Sequence, residues 1–102
     1  METKYQQDAR VFKAFCDPNR LMVLEQLRSG EKCACVLLEK LNIGQSCLSY
    51  HMKLLCDSGV VESSQVGKWQ HYRLSREGCE YAAALLAEVT TPDEVQTEDC
   101  CV

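Results

Sequence analysis

Residues 44–74 read GQSCLSYHMKLLCDSGVVESSQVGKWQHYRL. Leu48, Met52, Leu55 and Cys56 recur at i, i+4, i+7 and i+8, which predicts an amphipathic helix from about Gln45 to Ser58. Gly59 stops it. The opposite face offers Gln45, Ser46, Cys47, Ser49, Tyr50 and Lys53. Val60 to Val66 and Trp69 to Leu74 then alternate as strands around a Gly67-Lys68 turn. A polar-faced helix followed directly by a basic-tipped hairpin is the pattern of a winged helix-turn-helix.

Upstream, a short third helix is expected from roughly Lys32 to Leu41, with Val36, Leu37 and Leu41 inward, and Asn42-Ile43-Gly44 turns the chain into the reading helix. Before it, Asp17 suits an N-cap and Pro18 the first helical position. That second helix carries a Leu21, Leu24, Leu27 stripe and stops at Gly30. Residues 5–16 predict a first helix whose Val11, Phe12, Phe15 and Cys16 share one face. Downstream, Ser75 caps a last helix over about 76–89 carrying Tyr81, Ala82, Leu85, Leu86 and Val89, and Pro92 marks its end. The expected fold is α+β, mainly α: a winged helix-turn-helix of about five helices with one β-hairpin wing. It occupies residues 1–90, and an acidic, cysteine-containing flexible tail occupies 91–102.

The chain has 102 residues, enough for one small domain. Its opening METKYQQDAR is too polar for a signal peptide and no stretch approaches membrane-spanning length, so a cytoplasmic location is expected. The net charge is −4, but five of the 15 acids lie from Glu88 onward, where there is no Lys or Arg. Residues 1–87 therefore hold ten acids against 11 bases. Phosphate contacts must come from local clustering, with modest, salt-sensitive affinity.

Two short helices joined by a tight turn can place the second in the major groove of double-stranded DNA. Gln45, Ser46 and Ser49 can bond base edges or phosphates, Tyr50 and His51 can reach the backbone, and Cys47 is a small residue on the same face. Lys68 at the hairpin tip and Arg73 nearby can grip flanking phosphates.

In combination, Asp17-Pro18-x-Arg20, Gln45-Ser46-x-x-Ser49-x-His51-x-x-Leu54-Leu55, Ser58-Gly59-Val60-Val61 and Gly67-Lys68-Trp69-x-x-Tyr72-Arg73-Leu74 resemble the ArsR/SmtB family of bacterial metal-responsive repressors. The resemblance spans about residues 8–88. It implies a homodimer joined through the first and last helices, bound to an operator when metal-free and released by a metal ion.

Eight cysteines in a chain with no secretion signal point to soft-ion binding or oxidant sensing rather than a disulfide scaffold. Cys33-x-Cys35 opens the third helix, where a helix N-terminus favours thiolates. It resembles the family's cysteine-pair sensor for arsenite, antimonite, cadmium or lead. Residues i and i+2 point to nearly opposite sides of a helix, so chelation is expected to unwind or tilt that first turn. The family's arsenite pattern often has a third cysteine three residues on, and that position is Leu38 here. Cys100 and Cys101 form a second candidate site, with Cys79 or the Cys33/Cys35 pair as partner, while Cys16 and Cys56 read as core. His51 and His71 do not form a zinc site, and residues 76–90 lack the Asp and His of the family's last-helix zinc pattern. No permanently bound cofactor is expected. The inducer reading is As(III) or Sb(III), with Cd(II) or Pb(II), or thiol redox or persulfide sensing, as alternatives. No nucleophile–base–orienter set, phosphate loop or paired carboxylates indicate an enzyme.

Overall fold

A computed structural model describes residues 1–93, so most of the expected tail, with Cys100 and Cys101, lies outside the described residues. The elements run α1 Lys4–Lys13, α2 Pro18–Leu27, β1 Lys32–Cys33, α3 Ala34–Leu41, α4 Gln45–Asp57, β2 Val61–Val66, β3 Trp69–Leu74 and α5 Arg76–Thr90. This is a winged helix-turn-helix, as expected, with one strand more than the sequence suggested.

The helix starts follow local chemistry. Thr3 and Gln6 form a reciprocal capping box at α1, the Thr3 hydroxyl accepting the Gln6 N–H at 3.1 Å and the Gln6 amide oxygen accepting the Thr3 N–H at 2.8 Å. Asp17 caps α2, its carboxylate accepting the Asn19 N–H at 2.8 Å, with Pro18 in the first turn. Asn42 ends α3 in the left-handed region at φ 53°, which turns the chain into α4. At α5 the Ser75 hydroxyl accepts the Gly78 N–H at 3.0 Å. Gly78 itself packs against the turn after α4, where a Cβ would overlap the Gly59 carbonyl.

β3 lies between the other two strands. Val61↔Leu74 through Val66↔Trp69 make the wing, and Lys32↔Tyr72 and Cys33↔His71 add β1 to its other side. The third helix therefore starts at Ala34, not Lys32, because residues 32 and 33 are drawn into the sheet. Two residues offer no alternation to read, so that strand was invisible to a pattern of period two.

Val23, Leu37 and Leu55 sit at the centre of the core, fully buried. The buried row of α2 is Arg20, Val23 and Leu27, whereas the expected Leu21 is half exposed and Leu24 only partly buried. Arg20 lies inside because its guanidinium finds partners there, which rotates Leu21 outward. Cys16, expected in the core, falls beyond the shortened α1; it is exposed, with its S–H directed at the Phe12 carbonyl. On α5, Ala82 and Leu85 are buried, while Tyr81, Leu86 and Val89 stand exposed. No helix among the described residues is long and apolar enough to cross a membrane.

Candidate nucleic-acid interface and thiol pair

α4 presents the face that the sequence predicted. Gln45, Ser46, Cys47, Ser49, Tyr50 and Lys53 are all exposed on it. Gly44, its N-cap, has no side chain to bond the first-turn N–H groups, which leaves the positive end of the helix open toward an anion. Lys53 is held by Asp57, one turn on, at 3.3 Å. Lys68 is exposed on the wing turn.

Two residues expected on this interface are engaged by partners within the protein. His51 is buried, with only 5% of its surface exposed. Its Nδ1 lies 2.8 Å from the Arg20 guanidinium, and its Nε2 is 3.9 Å from the Asp17 carboxylate. It fastens α4 to the start of α2 rather than reaching DNA. Because Arg20 only donates, Nδ1 is the acceptor of this bond, and Nε2 faces Asp17. Arg73 stands at the base of the wing, across from Glu62 in register, not near its tip. It pairs with Glu62 at 2.8 Å and Glu31 at 3.6 Å, so its charge is already engaged.

Arg20 is a buried structural cation for which the sequence pattern gave no role. Its Nε donates to the Ala14 carbonyl at 3.2 Å and a terminal nitrogen to the Lys13 carbonyl at 3.1 Å. One buried side chain thus satisfies carbonyls at the end of α1 and holds the middle of α4. The signal lies in the Asp17-Pro18-x-Arg20 and His51 positions, which the fold brings together.

The thiol pair differs from expectation in one respect. Cys33 is the N-cap of α3 with extended backbone, φ −68° and ψ 146°, and Cys35 is in the first turn. The Cys33 sulfur accepts the Cys35 N–H at 3.3 Å. A hydrogen bond from the Cys35 thiol, with help from the N–H groups of Cys35 and Val36, holds the Cys33 pKa below that of an ordinary thiol. The same bond pushes Cys35 upward. Cys33 lies outside the helical turn, so the premise that two cysteines on one helix at i and i+2 force chelation to unwind it does not hold.

Cys79 is partly buried, its S–H facing the Val60 carbonyl at 3.6 Å, and burial raises its pKa. Burial raises that of Cys56 as well. Cys47 is exposed on α4. No three His, Cys, Asp or Glu side chains among the described residues are gathered to hold a metal ion.

A three-stranded wing behind a helix-turn-helix, with a polar exposed second helix, defines a winged helix-turn-helix transcriptional regulator. The family described as "Bacterial regulatory protein, arsR family" matches residues 17–63. The arsenical resistance operon repressor of Staphylococcus xylosus is 37% identical over 90 residues, covering 88% of this chain and 86% of that protein. Among solved structures, an ArsR family transcriptional regulator superposes with a TM-score of 0.74 at 26% identity, covering 87% of this chain and 92% of the other. A homodimeric winged helix-turn-helix DNA-binding domain from Mycobacterium bovis superposes with a TM-score of 0.68 at 26% identity, covering 83% and 80%. The chain belongs to the arsR family of bacterial regulatory proteins.

Proposed function

We propose that this protein is a homodimeric repressor that binds operator DNA through α4 and the wing and is released when trivalent arsenic or antimony binds Cys33 and Cys35. The carrying observation is the Cys33–Cys35 pair, the Cys35 N–H donating to the Cys33 sulfur, placed where the wing sheet meets the helix-turn-helix. Cys33 belongs to β1, which pairs with β3 of the wing, and Cys35 belongs to α3, which packs against α4. Arsenous acid condenses with two thiols, forming two As–S bonds and releasing two waters. Soft thiolates suit that ion, and the lowered Cys33 pKa supplies the first of them. Bound metalloid pulls strand and helix together, and it competes for the sulfur lone pair that now accepts the Cys35 N–H.

The dimer reading rests on exposed apolar residues of α1 and α5, Tyr5, Tyr81, Leu86 and Val89. An apolar depression of about 380 Å³ runs between α1, α2 and α5 and is lined by Phe12, Phe15, Leu24 and Leu86. Such a face is what a second copy would cover. The arsenical-resistance relative and the homodimeric domain support both halves of the proposal.

The test is fluorescence anisotropy of labelled promoter DNA with the reduced protein, titrated with arsenite, antimonite and cadmium. Release by low-micromolar arsenite that is lost in Cys33→Ser/Cys35→Ser and kept in Cys100→Ser/Cys101→Ser is the expected result. Tight DNA binding that arsenite leaves untouched would overturn the metalloid reading, and release by cadmium alone would reassign the inducer.

A further inference from the structure

The face that α4 offers to DNA carries no charge over its first two turns. From Gln45 to Met52 the sequence reads QSCLSYHM, without Arg, Lys, Asp or Glu. Leu48, His51 and Met52 are buried, which leaves Gln45, Ser46, Cys47, Ser49 and Tyr50 outside. Residues near the N-terminus of such a helix are the ones that reach base edges. The first cation, Lys53, comes only in the next turn, with the Asp57 carboxylate 3.3 Å away. Guanine is most often read by an Arg or Lys that donates to O6 and N7, and cytosine by a carboxylate that accepts from N4. These two turns hold neither. What they hold suits A·T pairs. The Gln45 amide can bond adenine N6 and N7, the two serines take either kind of base, and Cys47 and Tyr50 offer apolar surface to the C5-methyl of thymine.

Cys47 and Tyr50 are three residues apart and adjoin on the helix surface. Tyr50 is 55% exposed, and its ring stands edge-on to the His51 imidazole, with 5.4 Å between ring centroids and 62° between ring planes. That imidazole is buried and lies 2.8 Å from the Arg20 guanidinium. One side of the tyrosine ring thus rests on a fixed neighbour, and the remainder stands out from the reading face. Resting on the reading of α4 as the element that enters the major groove, we propose that Tyr50, with Cys47 beside it, reads thymine methyl groups, so that the base pairs under the first two turns of α4 are A·T. Tyr50 is then a specificity-determining residue that acts through its ring, not a backbone contact that acts through its hydroxyl.

The experiment uses the reduced full chain and labelled promoter DNA whose half-sites are located by hydroxyl-radical footprinting. Thymines are replaced one position at a time, in both half-sites together, by deoxyuridine, which keeps the base pair and removes only the methyl. One buried methyl is worth about fourfold in affinity, so the doubly changed duplex should bind about 15-fold more weakly. Tyr50→Phe should keep that penalty, because the ring remains, and Tyr50→Ala should abolish it. Both changes fall on an exposed side chain, outside the core. Cys47→Ser, which sets a hydroxyl in place of the sulfur, should lessen the penalty. Replacing guanines by 7-deazaguanine, which lacks the N7 acceptor, should change affinity less than about twofold. Deoxyuridine tolerated at every thymine overturns the proposal and leaves α4 standing as the reading helix, as does a penalty that persists in Tyr50→Ala. Equal weakening of Tyr50→Phe on promoter and unrelated duplexes assigns the hydroxyl to the backbone and overturns it too. A penalty untouched by Cys47→Ser overturns the part given to Cys47, and a 7-deazaguanine penalty larger than that of deoxyuridine overturns the A·T assignment. A chain that gives no footprint and no preference for the promoter over unrelated DNA overturns the operator-binding reading together with this one.

Discussion

Replacing Arg20 by Met keeps most of the side-chain volume and removes the guanidinium. Arg20 is only 5% exposed, and its three bonds reach Ala14, Lys13 and His51 at 3.2, 3.1 and 2.8 Å. Ala14 is the C-cap of α1, so the change strips partners from carbonyls at a helix end and from one buried imidazole nitrogen. Hydrogen bonds to a charged donor contribute about 1.5–3 kcal/mol each, and partial rehydration of the α1 carbonyls offsets part of the loss. The expected destabilisation is about 3 kcal/mol. His51→Asn places an amide oxygen near the position of Nδ1 and should cost about 1 kcal/mol, whereas His51→Leu offers no acceptor and should approach the Arg20→Met value. The assay is equilibrium urea unfolding at one fixed protomer concentration, since stability of a dimer depends on it. The double variant Arg20→Met/His51→Leu should be less destabilised than the sum of the singles by at least about 1 kcal/mol, because both remove one shared contact. Additive singles, or an Arg20→Met chain within about 0.5 kcal/mol of wild type, would refute the view that this buried cation joins α1 to the reading helix.

Three further outcomes follow from the same geometry. Gly78→Ala should destabilise by about 2 kcal/mol or more by the same unfolding assay, since its Cβ would overlap the Gly59 carbonyl and force α5 away from the turn after α4. Alkylation with iodoacetamide should proceed in two steps: Cys33, with its pKa lowered, reacts at a pH below the ordinary thiol midpoint, and Cys35, with its pKa raised, only above it. Cys33→Ser should bring the Cys35 profile back down, because the Cys33 sulfur is the main cause of its rise. Peptide mass mapping across pH checks both. Lys68→Ala should weaken binding across unrelated DNA sequences and reduce the salt slope by about 1. Arg73→Ala should change that slope far less, because Glu31 and Glu62 already engage its charge.

Much of the fold was legible because its elements announce themselves locally. The Asp17-Pro18 start of α2, the Ser75 cap of α5 and the Gly67-Lys68 wing turn are each set by residues adjacent in sequence, and all three stand where the sequence placed them. What was not legible depends on partners far away in the chain. Lys32 and Cys33 become a strand only because Tyr72 and His71 lie beside them. His51 lies three residues after Leu48 and four before Leu55, so its spacing already sets it on the buried face, but the cation that satisfies it there stands 31 positions earlier. Arg73 has the charge for a phosphate contact, but the strand register delivers Glu62 to it. Periodicity predicts which face of an element is apolar. It says little about a polar residue whose partner is distant, since burial of such a residue is decided by that partner.

The sparse charge of the candidate interface bears on how release can work. Arg73 is paired with carboxylates and Lys53 with Asp57, which leaves the exposed Lys68 and the open N-terminus of α4 as the main positive features facing a phosphate backbone. Few phosphate contacts mean few released counterions and a modest non-specific contribution to affinity. Binding then depends on two reading helices being presented at the right spacing, since each half-site alone is weak. A repressor held this way needs no large rearrangement to let go. A coupling free energy of about 1–3 kcal/mol changes affinity about 5- to 150-fold, and a small displacement of α4 relative to the wing, made in both protomers, supplies it. Under the proposed inducer site such a displacement would start at the thiol pair, with one sulfur on the strand that extends the wing sheet and the other on the helix that packs behind α4.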